Sequence, residues 1–331
     1  MNENICPTRR KLLVASLASA GASALPTGAA WAAEYPDRPI TFICPWPAGG
    51  TADATMRALC SAAAKALGQP IVVENRAGAS GMLGTKTMAG AKPDGYTIGQ
   101  IPISVTRFSQ LGTIPLDPLK DFTYLARTSG QVFGIAVSAT SPWKTLADLV
   151  THAKANAGIV TYAHAGVGGA THVGMEEFAL AAGIKFRHIP FKGGAEALQA
   201  LLGGHVDALA DSSSWATHVE SGKLRLLATW GEARVPRFKD VQTLKDAGYN
   251  VVVDAPNGVG APRGLEPAVA KKLRDAFRVA AASAEFKAAC DKIDAPVLYL
   301  DGPDYEKYVT AMMVREKSLI ERLNLKEMLK S

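Results

Sequence analysis

Cysteine is scarce in this chain: four residues in 331, at Cys6, Cys44, Cys60 and Cys290. Three of these lie beyond residue 32, an odd number, and none is paired at C-x-x-C spacing. That excludes a disulfide framework; the one pairing left open is Cys44–Cys60, against the simpler reading of two small buried apolar groups. The six histidines include no H-E-x-x-H and no other close ligand spacing, so no metal and no cofactor is expected. The glycine-bearing loops match neither G-x-G-x-x-G nor G-x-x-x-x-G-K-[ST], and G-x-S-x-G does not occur. Charged residues make up only 20% of the chain, with a net charge of +6, of which Arg9, Arg10 and Lys11 against Glu3 supply +2. The remaining +4 is unclustered. It would draw in small anions but not nucleic acid.

No apolar run reaches the ~20 residues that cross a bilayer. What the N-terminus has is a basic stretch at residues 8–11, an apolar run at 12–24, and Ala30-Trp31-Ala32 as a small-x-small cleavage site. These are the parts of a signal peptide over residues 1–32, so a periplasmic location is expected. The adjacent arginines resemble a twin-arginine signal, with Sec export as the alternative.

Beyond the signal, 48% hydrophobic content is enough for a core, and strand-like and helix-like stretches alternate. Strands are expected near 40–44, 71–75, 96–101, 159–163, 186–190, 206–210 and 224–229, and 122–137 is strand-like but long for one strand and interrupted near Gly130. Helices are expected at 54–67, after a Thr145/Asp148 capping box, at 266–282 and at 304–323. Alternation of this kind implies an α/β fold with mostly parallel sheets covered by helices. Without a floppy linker, two lobes would be joined within the strand-like segments 122–137 and 224–230. That puts one lobe at 33–130 plus 230–331, a second at 131–229, and the ligand cleft between them.

Two loops stand out. Residues 45–53, Pro-Trp-Pro-Ala-Gly-Gly-Thr-Ala-Asp, join a strand to a helix, and residues 166–171, Gly-Val-Gly-Gly-Ala-Thr, do the same in the second half. The first amides of a helix lack internal partners and lie at the positive end of its dipole, so each loop can hold an anion without a charged side chain.

The ordered set Tyr35-Pro36-Asp37-Arg38-Pro39-Ile40, Pro45-Trp46-Pro47-Ala48-Gly49-Gly50, Gly68-Gln69-Pro70-Ile71-Val72-Val73-Glu74-Asn75-Arg76, Pro93-Asp94-Gly95-Tyr96-Thr97, Pro190-Phe191-Lys192-Gly193, Gly203-Gly204-His205-Val206-Asp207 and Gly222-Lys223-Leu224-Arg225 resembles the Bug (TctC-like) family. Those proteins are extracytoplasmic solute receptors of tripartite tricarboxylate transporters, and the resemblance runs from about Tyr35 to the C-terminus. It implies a type II periplasmic-binding-protein fold that closes on a small carboxylate held by backbone amides, hydroxyls and waters. It also implies permease subunits as partners and a monomer that does no chemistry. Carried over, the ligand-binding residues are Pro47, Ala48, Gly49, Gly50, Thr51 and Asp53 from the first loop. The second loop supplies Gly166, Gly168, Gly169 and Thr171, and Ser104 and Asp211 lie at strand ends.

The chain departs from the family pattern where it loses hydroxyls. Ala52 stands directly before Asp53, Gly169 and Ala170 stand in the second loop, His164 stands where serine is frequent, and Phe191 where tyrosine is common. With Trp46 nearby, this leans toward a ligand with an apolar body. Two readings stand beside transport: a receptor that reports to a sensor kinase, and an enzyme on the same fold using Ser141 or Cys44. Ser141-Pro142-Trp143-Lys144 matches S-x-x-K, but without its S-D-N or K-T-G partners it reads as a turn into a helix.

Overall fold

The computed structural model describes residues 35–253 and 255–329. The expected signal peptide lies outside the described residues. Among them, the chain builds a six-stranded and a five-stranded sheet, each flanked by helices.

The first sheet starts with β1 (Ile40–Cys44), β2 (Ile71–Asn75) and β3 (Thr97–Ile101), which run parallel with β1 in the middle. The connection from β1 to β2 is α1 (Thr51–Leu67), whose Met56, Leu59, Cys60, Ala63 and Leu67 make a buried stripe at helical spacing. Gly68 ends it in the left-handed conformation, its N–H bonding back to the Ala64 carbonyl. A short 3₁₀ turn (Ala79–Gly81) and α2 (Met82–Ala89) lead to β3, and α3 (Val105–Leu111) follows it. β4 (Phe122–Ser129) then completes the chain's first pass through this lobe.

Residues 122–137 are two strands in different sheets. β4 ends at Ser129, and β5 (Phe133–Ser138) opens the second sheet. That sheet also contains β6 (Thr161–His164), β7 (Arg187–Pro190), β8 (Ala208–Ser212) and β9 (Leu224–Thr229), in the order β7-β6-β8-β5-β9. Its helices are α4 (Leu146–Ala155), α5 (Ala170–Ala182), α6 (Gly194–Leu202) and α7 (Ala216–Glu220). The capping box at the start of α4 forms as the sequence predicts, with Thr145 Oγ1 accepting from the Asp148 N–H and the Asp148 carboxylate accepting from the Thr145 N–H.

The chain returns to the first lobe later than residue 230. Trp230 N donates to the Phe133 carbonyl and Val253 N to the Trp230 carbonyl, at 3.0 and 3.1 Å. Leu244 and Val251 are buried in the second lobe's core beside Phe178 and Trp230, and Val253 packs against it. The physical reason is apolar: this segment covers one face of the second sheet. The return strand is β10 (Asn257–Pro262), followed by α8 (Pro267–Ala282), α9 (Ala284–Lys292), β11 (Val297–Asp301), α10 (Gly302–Arg322) and α11 (Leu325–Met328). The two crossings lie side by side, joined by Gln131 N to the Ala255 carbonyl at 3.1 Å.

Both sheets are mixed, not mostly parallel. β10 comes back from the other lobe and inserts between β3 and β4, antiparallel to both, and β11 pairs antiparallel with β4. In the second sheet β5 is antiparallel to β8 and β9, while β6 is parallel to β7 and β8. A strand that crosses between lobes enters from the opposite end, which reverses its direction. β10 carries no strand signal because its sequence, Asn-Gly-Val-Gly-Ala-Pro, is shaped by packing: a Cβ on Gly258 would collide with the ring and hydroxyl of Tyr305.

Candidate functional site

The first loop is a braced turn. Asp53, in the first turn of α1, accepts the Gly49 N–H at 3.0 Å and Asn75 Nδ2 at 2.7 Å, with Arg57 Nε 3.0 Å away. Burial works against its ionised form, but the bonds from Arg57, Asn75 and Gly49 outweigh it and hold the carboxyl below the ordinary range. Asn75 Nδ2 also donates to the Trp46 carbonyl at 2.9 Å. The first intrahelical bond runs from Ala54 N to Gly50 O, so the amides of 51–53 have no partner within the helix.

The second loop is built the same way. Val173 N bonds to Gly169 O, leaving the amides of 170–172 open at the start of α5. Gly168 holds φ +73°, and a Cβ there would lie 2.8 Å from the Phe108 ring, so only glycine fits. The loop is tied from several directions. Thr171 Oγ1 accepts the Ala165 N–H, and the Gly168 N–H donates to His172 Nδ1, both at 3.1 Å. From the other lobe, Ser80 Oγ donates to the Val167 carbonyl and Arg107 Nη1 to the Gly168 carbonyl, both at 2.7 Å.

Both helix starts open on one cavity between the lobes, holding about 1040 Å³ of empty space with its solvent mouth included. Of the sequence-predicted residues, Pro47, Gly50, Thr51, Ser104, Gly169, Thr171 and Asp211 line it. Ala48 and Gly49 are exposed beside it, while Asp53, Gly166 and Gly168 shape the two loops from outside the lining. A third helix start, Gly194 and Ala195 of α6, reaches the same space. Trp46, Phe133, Val173, Val253, Met312 and Leu319 supply apolar wall.

Sequence reasoning missed the amides and the ion pair of this cavity. Asn257 Nδ2 donates to Ser129 Oγ at 3.0 Å, which turns its Oδ1 toward Gln100 Nε2 at 2.9 Å and Gln131 Nε2 at 3.3 Å. Gln100 Oε1 is thereby left buried without a partner, as is Trp46 Nε1. Arg107 makes a forked pair with Glu316, Nε to Oε2 and Nη2 to Oε1, both at 2.7 Å, and both side chains are buried. Three of the five guanidinium N–H groups are committed, two to Glu316 and one to the Gly168 carbonyl. The lobes touch around the cleft, with Pro47 packed on Gly193, Arg322 paired with Glu177, and Arg315 Nη2 donating to the Val252 carbonyl at 2.5 Å.

Behind the second loop sit His164, His172 and His188, whose nearest ring nitrogens all lie within 4.8 Å of one another. His164 and His172 are stacked with centroids 4.7 Å apart, and His164 Nε2 shares a hydrogen bond with His188 Nδ1 at 3.2 Å. His172 Nδ1 accepts the Gly168 amide, which leaves the proton on Nε2, buried and unpartnered. Burial first, and then His188, push His164 down to about 3. Burial, His164, His188 and Arg107 push His172 down to about 2.

The chemistry open to the remaining nucleophiles is limited. Cys44, Cys60 and Cys290 are all free and buried, and burial raises the Cys44 thiol to about 12. Ser141 Oγ accepts the Trp143 N–H, and Lys144 Nζ donates to the Ser141 carbonyl at 2.9 Å; the S-x-x-K stretch is a turn into α4.

Two α/β lobes, two crossings and a cleft lined by helix starts define a type II periplasmic-binding-protein fold. The chain belongs to the tripartite tricarboxylate transporter receptor family, whose model, "Tripartite tricarboxylate transporter family receptor", matches residues 55–325. A UPF0065 protein encoded in the gbd 5′ region of Cupriavidus necator is 42% identical over 313 residues, 95% of each chain. The structure of the periplasmic binding protein BugD is similar at a TM-score of 0.83 and 28% identity, over 88% of this chain and 99% of that one. MatC from Rhodopseudomonas palustris, solved with bound malate, is similar at a TM-score of 0.77 and 26% identity, over 88% of this chain and all of the other (100%). The family and the fold are those of solute-binding receptors, not of enzymes.

Proposed function

We propose that this protein is a periplasmic receptor that captures a small organic carboxylate by closing its two lobes, and delivers it as a monomer to the permease subunits of a tripartite transporter. The observation that carries this reading is the opening of two helix starts, one from each lobe, on a single cavity whose buried Arg107 already has its charge paired with Glu316. Unpartnered amides at positive dipole ends suit a carboxylate, and a ligand bridging both loops favours the closed arrangement over the open one. Family membership and the malate held by MatC support the ligand class. Gly50, Thr51, Gly169 and Thr171 are the proposed contacts, with Ser104 at the cavity wall; Ala48, Gly49, Asp53, Gly166 and Gly168 act by setting loop shape. The apolar walls favour a ligand with a hydrocarbon body.

Thermal melting against a panel of mono-, di- and aromatic carboxylates tests this. At a concentration one hundred times its Kd, a ligand that binds only the folded state adds about 2.7 kcal/mol. That corresponds to a rise in Tm of about 4–5 °C for a chain of this size. Gly168→Val, which drives a side chain into Phe108, is expected to melt cooperatively but lose the ligand-induced rise. A panel that leaves the wild-type Tm unchanged would contradict the receptor reading.

A further inference from the structure

Three histidines meet behind the second loop, brought there by three different elements. Tyr162 and His164 are two apart on β6 and so share a face, and His188 on β7 stands in register with Tyr162. α5 covers that face with His172 and, one turn on, Glu176. His164 and His172 are fully buried, whereas His188 is half-buried, so the group is not sealed from solvent. Among the described residues no other three His, Cys, Asp or Glu side chains bring ligand atoms together this closely.

The hydrogen bonds fix where the lone pairs lie. A carbonyl only accepts, so His164 Nδ1, 3.1 Å from the Gly166 carbonyl, carries the ring proton. Its Nε2 therefore holds a lone pair on a ring oriented by the backbone, the arrangement of a metal-ligating histidine. His188 Nδ1 lies 3.2 Å from that Nε2. Nitrogens about 2.1 Å from a tetrahedral ion are about 3.4 Å apart, so this pair already has the spacing of two ligands. All three nearest nitrogens lie within 4.8 Å of one another, so His172 joins by moving no more than about 1.4 Å. His172 Nε2 is buried without a partner, an unfavourable state for a polar group. Glu176 accepts from the Tyr162 hydroxyl at 2.8 Å and lies within electrostatic reach of His188, where its carboxylate offsets part of an ion's charge. Imidazoles suit zinc and its transition-metal neighbours; calcium and magnesium take oxygen ligands.

We propose that His164, His172 and His188 form a site for a divalent transition-metal ion of the zinc type, and that filling it frees the Gly168 amide of the second loop. This departs from the sequence-based expectation of no metal, which rested on spacing along the chain. The coupling follows from His172, whose Nδ1 lone pair is taken by the Gly168 N–H at 3.1 Å. If Nδ1 ligates, that lone pair goes to the ion. If Nε2 ligates, the ring proton moves to Nδ1, which then repels the amide. Either way Gly168 loses its acceptor. His188 ligates through Nδ1 by moving its proton to Nε2, so all three rings stay neutral and no proton is lost. The open amides of 170–172 follow Gly168 directly, so metal occupancy and loop shape are linked, each shifting the other's equilibrium by the same factor. The site needs no carboxylate and is independent of the receptor reading.

Protein stripped with EDTA and carrying no histidine tag is titrated with Zn²⁺ by calorimetry, and separately with Co²⁺, whose visible absorption reports four-coordinate binding. One ion per chain is expected. His188→Gln, at a half-buried strand position, is expected to weaken binding at least about tenfold, the least that losing even an outer partner of a ligand costs. His172→Asn is expected to weaken it by at least as much. A readout on the unaltered, ¹⁵N-labelled protein guards against a variant that fails to fold: the Gly168 amide resonance moves as Zn²⁺ is added and stops at one equivalent. Failure of Zn²⁺ to bind at one per chain would overturn the inference. So would binding that is unchanged in either variant, which would place the ion elsewhere. A Gly168 amide that stays still while the ion binds would also overturn it, because His172 would then lie outside the site.

Discussion

Replacing Arg107 with alanine is expected to destabilise the protein by about 3–5 kcal/mol, the range for breaking a buried ion pair by removing one partner. The reason is what would be left behind. Glu316 would keep a buried negative charge with neither of its two bonds, and the Gly168 carbonyl would lose its donor from the other lobe. Urea unfolding measures the loss directly. Replacing both partners, as Arg107→Met with Glu316→Leu, removes the stranded charge and is expected to recover most of the stability. The double variant still lacks the tie to the second loop, so its ligand affinity stays reduced while its fold returns. A loss below about 1 kcal/mol for Arg107→Ala, typical of surface pairs, would show that the pair is not buried as described.

Acid is expected to weaken the protein more than its carboxylates alone would. His164 and His172 are neutral when buried, with folded values near 3 and 2, whereas unfolded histidine titrates near 6.5. The unfolded chain therefore binds more protons than the folded one as pH falls below about 6.5. The stabilisation is complete above that value and declines as pH drops toward the folded values. Each excluded proton contributes about 1.4 kcal/mol per pH unit across that window. The charges facing His172 are His164 on β6, His188 on β7 and Arg107 on α3, all unfavourable to a second positive charge. His172→Asn keeps an acceptor where Nδ1 meets the Gly168 amide but cannot titrate. Urea midpoints measured with EDTA present from pH 7.5 to 5 should fall steeply in the wild type and less steeply in this variant. Equal slopes would mean that the histidines are not excluded from protonation as described.

The parts of the site legible in the sequence are those whose chemistry lies in the backbone. Loops 45–53 and 166–171 announce themselves because glycine between a strand and a helix is a local signal, readable without knowing what packs nearby. Lone polar residues carry no such signal. Gln100, Gln131 and Asn257 come from three separate stretches and meet only because β10 inserts beside β3 and the two crossings touch. Arg107 and Glu316 are 209 positions apart and ordinary in their own helices. The histidines come from β6, α5 and β7, so no spacing rule could join them. The late return to the first lobe was hidden for a similar reason. Residues 230–253 contain little regular structure, and their place on the second lobe is decided by where Leu244 and Val251 find an apolar partner.

The central claim is that one carboxylate ligand is held at once by helix starts from both lobes. Amide chemical shifts of the ¹⁵N-labelled protein, followed through a titration with a binding carboxylate, test it most directly. The account predicts that the amides of Thr51 and Ala52 and those of Ala170 and Thr171 move together and saturate on one curve with one Kd. Movement confined to one loop, or two loops saturating at different ligand concentrations, would contradict it.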